Sequence, residues 1–208
     1  MIKDCKFDVV KELKAQACHP LLKRNNFKRK GVVWYRELPN NLLYIITTET
    51  RTIVKNDFVF SVHYGIYYKG VHEFLNEFPF ELKNAIVYCI YKGHRDKKKS
   101  RRSWDSNDFT SFDEFKEKIE SALNRDILPD LESVQTPTEL LNLVINDIDL
   151  YIKNDSILAL KVACLCYFLG QEREALQIAN KVLEASKLPY PFAERLKNKI
   201  DLKIQSTD

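Results

Sequence analysis

The chain has 208 residues, of which 45% are hydrophobic and 12% aromatic, with only five Gly and seven Pro. This composition is that of a folded protein with a sizeable core, and it excludes a disordered or fibrous chain. The net charge of +4 hides a division: residues 1–104 hold 21 Lys/Arg against 10 Asp/Glu, and residues 105–208 hold 12 against 19. Such a division is compatible with self-association, docking between the halves or an anionic partner.

The five cysteines include no Cys-x-x-Cys pair, which predicts reduced thiols in a cytoplasmic protein. The first residues lack the apolar core of a signal peptide. The longest apolar run, residues 157–169, contains Lys161 and is shorter than the about 20 residues that a membrane span needs. We therefore expect no membrane partner. Neither a P-loop nor a dinucleotide fingerprint occurs, so we expect no cofactor.

The N-terminal segment, residues 4–24, predicts a helix. Its apolar residues recur at three- and four-residue spacing and form one stripe: Phe7, Val10, Leu13, Ala17 and Leu21. Pro20 disfavours helical backbone at His19, so we expect a kink or a break there, followed by a short turn to Arg24.

A three-stranded antiparallel meander is predicted next, with strands at residues 27–38, 42–50 and 58–68. Gly31 is expected to form a bulge in the first strand, and Pro39-Asn40-Asn41 forms a turn. The third strand has the clearest alternation in the chain. One of its faces is apolar and must pack on helices, whereas the other is mixed: Val59, Ser61, His63, Gly65 and Tyr67.

An apolar run at residues 86–91 predicts a fourth strand, and residues 104–110 predict a short fifth one. Between them lies the basic loop, residues 92–102, which carries seven Lys/Arg and one Asp. The basic loop alone therefore makes the protein basic, because the remaining residues sum to a net negative charge.

The rest of the chain carries signals for five helices. Capping boxes open the first two at Ser111 and Thr136, and Pro129 is expected to end the first. Asp155 caps the third, and Gly170 ends it in a left-handed conformation. The predicted helices span residues 111–128, 136–152, 156–169, 171–187 and 191–204.

This element order predicts an α+β fold. An N-terminal helix packs on an antiparallel sheet of four or five strands, and an all-helical C-terminal region follows. We expect residues 1–135 to form the α+β domain with the meander, and residues 136–208 to form a helical region docked on it.

Three stretches resemble a bacterial family, domain of unknown function 4304, over about residues 5–135. They are residues 22–31, then Trp34-Tyr35-Arg36-Glu37-Leu38, then Phe60-Ser61-Val62-His63-Tyr64-Gly65-Ile66. The chain departs from the family pattern at Thr47-Thr48-Glu49, where a Gln is usual, and at His63, where an Asn is usual. The resemblance implies a fold and a bacterial origin but no activity.

A second, shorter resemblance covers residues 159–188, which are similar to a single tetratricopeptide-like helical hairpin. Gly170 stands where the first helix of such a repeat ends, and Ala163 and Ala175 stand at its small positions. One repeat cannot bury a continuous core, so this hairpin must dock on other elements.

The basic loop is a candidate phosphate or nucleic-acid contact. Its cations would neutralise phosphates and its flanking tryptophan would stack on a base: Lys97, Lys98, Lys99, Arg101, Arg102 and Trp104. The alternative is a solvated loop, since clustered charge needs no partner.

Candidate partner-binding residues lie on the aromatic-rich sheet: Trp34, Arg36, Ser61, His63 and Tyr67. Trp34 and Arg36 share a face of the first strand, and both residue types are common in binding hot spots. Glu49 is expected to neighbour His63. An acid–base site around His63 is one interpretation, and a half-buried histidine bonded across strands is the other.

No motif of catalysis or metal binding is present. We therefore expect a non-enzymatic protein–protein interaction module, of an accessory or immunity type, that binds another protein or itself. Nucleic-acid binding through the basic loop is the alternative, and an enzyme with a site around His63 is a third hypothesis.

Overall fold

The computed structural model describes residues 6–54, 57–75, 80–93, 103–186 and 191–205. Within them it confirms the α+β fold, with an N-terminal helical segment, a six-stranded antiparallel sheet and an all-helical C-terminal region. The chain divides into two compact units. Unit 1 comprises Met1–Glu37, Leu43–Ile66 and Leu82–Ser133, and unit 2 comprises Leu38–Leu42, Tyr67–Glu81 and Val134–Asp208.

The N-terminal segment is helical through Pro20, where the sequence predicted a kink or a break. It consists of α1 (Lys6–Leu13), a π-helical turn (Lys14–Cys18) and α2 (His19–Arg24). Proline removes a backbone donor and collides with the carbonyl four residues earlier. In the π-helical turn the His19 amide bonds five residues back, to the carbonyl of Lys14, and this wider turn accommodates the ring.

The same arrangement recurs at Pro129, where the prediction that the helix ends was wrong. Here α5 (Phe112–Ala122) passes through a second π-helical turn (Leu123–Ile127) into α6 (Leu128–Glu132). The Ser111 hydroxyl caps α5 by accepting from the Glu114 amide at 3.2 Å. The predicted capping box is only half formed, because the Glu114 carboxylate accepts from the amide and the hydroxyl of Thr110. The first π-helical turn packs against α5, so the two proline-containing helices are neighbours in unit 1.

The sheet is built around β4, its longest uninterrupted alternating strand. The strands are β1 (Lys28–Lys30), β2 (Val33–Glu37), β3 (Leu42–Val54), β4 (Asp57–Tyr68), β5 (Tyr91–Lys92) and β6 (Ser103–Asp105). Their order is β1-β2-β3-β4-β5, and β6 also pairs with β4. Strand β6 lies beside the first part of β4 and β5 beside its last part.

The predicted first strand is in fact a hairpin of β1 and β2. Lys30 pairs with Val33, so Gly31 and Val32 form a two-residue turn in which Gly31 has φ +63°. Glycine tolerates this conformation and is favoured at the first position of such a turn. Gly31 therefore reverses the chain, where the sequence analysis predicted only a bulge.

The prediction of a fourth strand at residues 86–91 was also wrong over most of that range. Residues 85–88 form the short helix α4 (Ala85–Tyr88), and only Tyr91–Lys92 pairs with β4. A short apolar run does not by itself distinguish a strand from a buried helical turn. The fifth strand is confirmed only over β6, since Ser106–Asp108 forms a 3₁₀ turn.

The apolar face of β4 is buried, as predicted. Phe58, Phe60 and Val62 have no exposed surface, and Tyr64 is 1% exposed. Phe115 of α5 lies against them, with its ring 6.1 Å from Phe58 and edge-on to Phe60 at 6.3 Å. We call this side of the sheet the covered face, and the side that carries Val59, Ser61 and His63 the open face.

A carboxylate joins α6 to the sheet. Asp130 Oδ2 accepts hydrogen bonds from the Tyr64 hydroxyl at 2.6 Å and from the Tyr91 hydroxyl at 2.7 Å. Both tyrosine side chains are buried, on β4 and β5 respectively. Hydrogen bonds to a charged acceptor are stronger than those between neutral groups, so this cluster fixes the helix after Pro129 against two strands.

Unit 2 is organised around α9 (Ser156–Phe168), whose residues 159–166 are all buried. A helix that is apolar on all sides must be surrounded, and α9 packs against the other helices of the unit. These are α3 (Lys69–Leu75), α7 (Pro137–Ile145), α8 (Ile148–Asn154), α10 (Glu172–Ala185) and α11 (Pro191–Gln205).

The helix termini in unit 2 confirm the capping signals. Thr136 and Glu139 form a reciprocal capping box, the Asp155 carboxylate accepts from the Leu158 amide, and Gly170 has φ +75°. One predicted helix, residues 136–152, is divided into α7 and α8 by a turn at residues 146–147. No helix among the described residues is long and apolar enough to cross a membrane.

We predict that the Asp130 cluster contributes measurably to stability. Replacing Tyr91 by Phe removes one hydroxyl and keeps the ring, so the free energy of unfolding should fall by about 1.5–3 kcal/mol in urea denaturation. Tyr35→Phe is the matched control, because the half-buried Tyr35 makes no hydrogen bond through its hydroxyl among the described residues. Equal effects of the two substitutions would show that the cluster is not stabilising.

Candidate functional site

The open face of β4 presents polar groups at the position where sequence reasoning looked for a site. Val59, Ser61 and His63 are half-buried, whereas Gly65 and Tyr67 farther along the strand are buried. Strand β3 lies on one side of this stretch and β6 on the other. The accessible part of the open face is therefore limited to the first half of β4.

His63 and Glu49 form a pair on this face. The two side chains approach to 3.1 Å between His63 Nε2 and Glu49 Oε2, which confirms that Glu49 neighbours His63. The side chains are 29% and 68% exposed, respectively. A carboxylate that bonds one ring nitrogen orients the imidazole and selects its tautomer, so the pair has the chemistry to bind or transfer a proton.

A pair of hydroxyl groups lies two residues away. Ser61 pairs with Ser103 across β4 and β6, and their Oγ atoms are 2.7 Å apart. Two adjacent hydroxyl groups provide both donors and acceptors to a bound group. The open face thus offers a histidine–carboxylate pair across β4 and β3 and a serine pair across β4 and β6, two residues apart along β4.

Trp34 and Arg36 lie on the covered face, contrary to the prediction that they are partner-binding residues. Trp34 has no exposed surface, and the guanidinium group of Arg29 lies 5.1 Å from the centre of its ring. Strand alternation had shown that the two residues share a face. It had not shown that this face is the one turned toward the helices.

Arg36 has a structural role in unit 1. Its guanidinium lies 5.3 Å from the ring centre of Phe27 and 4.8 Å from that of Tyr44. It also donates to the carbonyl of Asn25 at 3.1 Å and to the Glu132 carboxylate at 3.0 Å. These contacts tie β2 to α2 and α6 and leave 16% of the Arg36 side chain exposed.

Two other aromatic candidates are buried. Tyr67 is 1% exposed and stacks on Phe80 at 4.5 Å. Trp104 is 8% exposed and pairs with Phe60, which places it on the covered face and removes it as a stacking platform for a base. The cationic candidates Lys97, Lys98, Lys99, Arg101 and Arg102 lie outside the described residues.

The cysteines in the described residues are unreactive core groups. Cys18, Cys89, Cys164 and Cys166 are buried and free. Burial raises the pKa of the Cys18 thiol to about 12, so the thiolate is not populated at neutral pH. Across the described ranges, no group of three or more His, Cys, Asp or Glu side chains is arranged to hold a metal ion.

Sequence reasoning missed a cluster of aromatic side chains in unit 2, which we call the aromatic cluster: Tyr68, Phe74, Tyr167 and Phe168. Phe168 is 38% exposed and the other three are half-buried. Phe168 contacts Tyr68 at 5.8 Å and Phe74 at 5.5 Å, measured between ring centres. Phe74 lies between the predicted third and fourth strands, where the sequence analysis assigned no element, so its position against the end of α9 carried no sequence signal.

Two lysines of α11 border the aromatic cluster. The ammonium of Lys199 lies 3.9 Å from the ring centre of Phe74, and that of Lys203 lies 4.7 Å from the ring centre of Tyr167. Lys203 also pairs with Glu172, and this bond raises its pKa. Lysine over an aromatic face is attractive because the ring quadrupole is negative there.

Comparison with known proteins gives no match to this chain: no family model, no curated protein and no solved structure. The resemblances to domain of unknown function 4304 and to a tetratricopeptide-like hairpin therefore stay predictions. What can be said about function rests on the geometry of the two units.

We predict that the open face tolerates substitution. Because Glu49 is 68% exposed, solvent screens its pairing with the half-buried His63, and screened pairs contribute roughly 0–1 kcal/mol. Glu49→Gln and His63→Gln should therefore each change the free energy of unfolding by less than about 1 kcal/mol. Val62→Ala, on the covered face of the same strand, is the contrasting variant and should cost more. Unfolding by either Gln substitution would show that the pair is structural, and any loss of binding or activity in a stable variant would be a direct effect.

Proposed function

We propose that this protein is a non-enzymatic protein–protein interaction module, of an accessory or immunity type, and that it binds another protein through the aromatic cluster of unit 2. The observation that supports the proposal is the partial exposure of four aromatic side chains at one place. Single exposed apolar residues are ordinary on protein surfaces, but a contiguous group of large aromatic residues is typical of a binding site.

The aromatic cluster is held ready for binding. The rings of Phe74, Tyr167 and Phe168 contact one another at 5.3–5.7 Å, and Gly70 leaves room for them, since a side chain there would approach Phe168 within 3.4 Å. Side chains already ordered by their neighbours lose little conformational freedom when a partner binds. The conformational entropy lost when a partner binds the aromatic cluster is therefore small.

The charge at the edge of the aromatic cluster indicates the chemistry of the partner. Lys199 is exposed and forms no ion pair with any described carboxylate, while Lys203 already pairs with Glu172. A complementary surface would therefore place an apolar side chain on Phe168 and an acidic side chain near Lys199. Electrostatic complementarity of this kind mainly sets specificity and association rate.

The proposal predicts that Phe168 is required for binding and that an equally exposed phenylalanine elsewhere is not. Phe168 is 38% exposed, and Phe192, at the other end of α11 from Lys203, is 36% exposed. We expect Phe168→Ala to weaken capture of a stoichiometric partner at least about tenfold, as for hot-spot aromatics, while Phe192→Ala binds like the wild type. The measurement is quantitative affinity capture from native lysate, followed by titration of the captured protein.

Two results would contradict this function. One is equal binding by the Phe168→Ala and Phe192→Ala variants, which would exclude the aromatic cluster as the site. The other is a wild-type protein that remains monomeric in light scattering and captures nothing in stoichiometric amount. Circular dichroism and thermal unfolding of both variants ensure that a loss of binding is not a loss of fold.

Nucleic-acid binding is a second candidate, supported by an exposed basic run in unit 1. Lys28, Arg29 and Lys30 of β1 are all exposed, and Lys23 and Arg24 precede them at the end of α2. The exposed charges also protect an edge strand from pairing with other chains, which they would do without any ligand.

This candidate predicts affinity that falls steeply with salt. Each phosphate contact contributes about 0.9 to the slope of log K against log salt, so neutralising Lys97, Lys98 and Lys99 together should reduce the slope by up to about three contacts. The measurement is fluorescence anisotropy with labelled DNA and RNA between low and physiological salt. Absence of binding at low salt would rule the candidate out.

A further inference from the structure

Several buried hydrogen-bond donors on the covered face of unit 1 find no acceptor among the described protein groups. Trp34 has no exposed surface and its Nε1 has no partner, and the same is true of Oγ1 of Thr48, which is 7% exposed. Oγ1 of Thr50, two residues farther along β3, is also buried without a partner. Buried polar groups are nearly always hydrogen-bonded, so a group of unpaired donors calls for an explanation.

The register of the strands places these groups near one another. Trp34 pairs with Ile46, so Thr48 is its diagonal neighbour on the same face. Diagonal neighbours have Cα or Cβ atoms about 7–8 Å apart, a separation that a tryptophan side chain spans. The indole N–H and the threonine hydroxyl therefore belong to neighbouring side chains on one face of the sheet.

The guanidinium group of Arg29 lies against the indole ring of Trp34. Arg29 pairs directly with Trp34 across β1 and β2, and its guanidinium lies 5.1 Å from the centre of the indole ring. Its Nε donates to the carbonyl of Gly31 at 2.9 Å. The two terminal nitrogens of this exposed guanidinium have no acceptor among the described residues.

Lys14 contributes the second charge from the first π-helical turn. Partial burial lowers its pKa, the Cys18 thiol nearby opposes this, and the positive charge of Arg29 lowers it further. Neither cation forms an ion pair with a described carboxylate, and Glu120, which lies within electrostatic range of Cys18, pairs with neither. Lys14 and Arg29 therefore lie within electrostatic range of each other, and no carboxylate in the described part of the chain pairs with either of them.

We propose that Lys14, Arg29, Trp34 and Thr48 form a binding site for a phosphate-type oxyanion. Lys14 and Arg29 neutralise the charge of the oxyanion, and the planar guanidinium donates two parallel hydrogen bonds to its oxygens. Trp34 Nε1 and Thr48 Oγ1 are buried, so the remaining oxygens reach them only when the side chains that cover them, among them Arg29 over the indole, move aside. An occupant that only accepts hydrogen bonds matches a site whose groups can all donate.

This site is independent of the aromatic cluster, because its residues belong to unit 1 and those of the cluster to unit 2. The failure of either proposal leaves the other standing. The ligand is identified by its chemistry alone, and it is either free phosphate or the phosphate group of a larger molecule.

The test is a nuclear magnetic resonance titration that observes the indole N–H groups of the two tryptophans. Trp34→Phe assigns the two signals. Inorganic phosphate is added at constant ionic strength, with sodium chloride as the balancing salt. We expect a saturable shift of the Trp34 signal and no shift of the Trp104 signal, because Trp104 lies on β6 outside the site.

Matched variants distinguish binding at the proposed site from nonspecific attraction of phosphate to a basic surface. Lys14→Ala and Arg29→Ala should each weaken binding at least about tenfold, which is a typical loss for a charged hydrogen-bonding partner. Arg29→Lys keeps the charge but loses the fork, so it should bind with intermediate affinity. Lys30→Ala removes the same charge from the neighbouring position of β1, whose side chain points to the other face, and should bind like the wild type.

A second titration distinguishes the two sources of the ligand. Tighter binding of adenosine monophosphate than of inorganic phosphate would support the site and assign it to a phosphate monoester. Equal binding would support it as a site for the free oxyanion. The proposal is overturned if the Trp34 signal does not move with either compound, if chloride moves it equally, or if Lys30→Ala weakens binding as much as Lys14→Ala does.

Discussion

Phe58 and Phe60 of β4 pack on Phe115 of α5, and this contact fixes which side of the sheet is turned toward the helices of unit 1. Register carries the assignment of faces from β4 to β6, and the contact between His63 and Glu49 carries it to β3. The register of β3 with β2 then assigns the residues of β2. The face on which a residue lies determines whether its side chain packs in the core or is accessible to a ligand. The assignment of faces leaves His63 and Glu49 accessible, and it removes Trp34 and Trp104 from the surface.

The alternation of β4 was readable from the sequence because a period of two repeated over twelve residues leaves little ambiguity. The helix caps at Ser111, Thr136 and Asp155 were readable for a similar reason, since a cap depends on residues three apart in the chain. The face of Trp34 was not readable. It depends on how β2 pairs with β3 and on the turn at Gly31, and both are properties of the assembled sheet.

The other features that the sequence analysis predicted wrongly or missed also depend on tertiary structure. Pro20 and Pro129 were expected to interrupt helices, but each follows a π-helical turn whose carbonyl arrangement admits the ring, and nothing in the local sequence specifies that turn. The aromatic cluster joins Phe74 to Tyr167 and Phe168, about ninety residues later in the chain. Contacts over such separations arise from tertiary packing, which propensity and periodicity do not encode.

Two of the positive charges in the basic first half of the sequence, on Lys14 and Arg29, belong to unit 1. Positive charge is usually dispersed or paired, because like charges held together destabilise a fold. Lys14 and Arg29 form no ion pair with a described carboxylate, and Trp34 Nε1 and Thr48 Oγ1 on the covered face find no acceptor among the described residues. An apolar residue in place of Thr48 would remove an unpaired hydroxyl without changing the packing volume greatly, so its retention is costly unless something accepts its hydrogen bond. A bound oxyanion satisfies both the charges and the donors, which is why we regard this combination, rather than the basic loop alone, as the clearest indication of a ligand in unit 1.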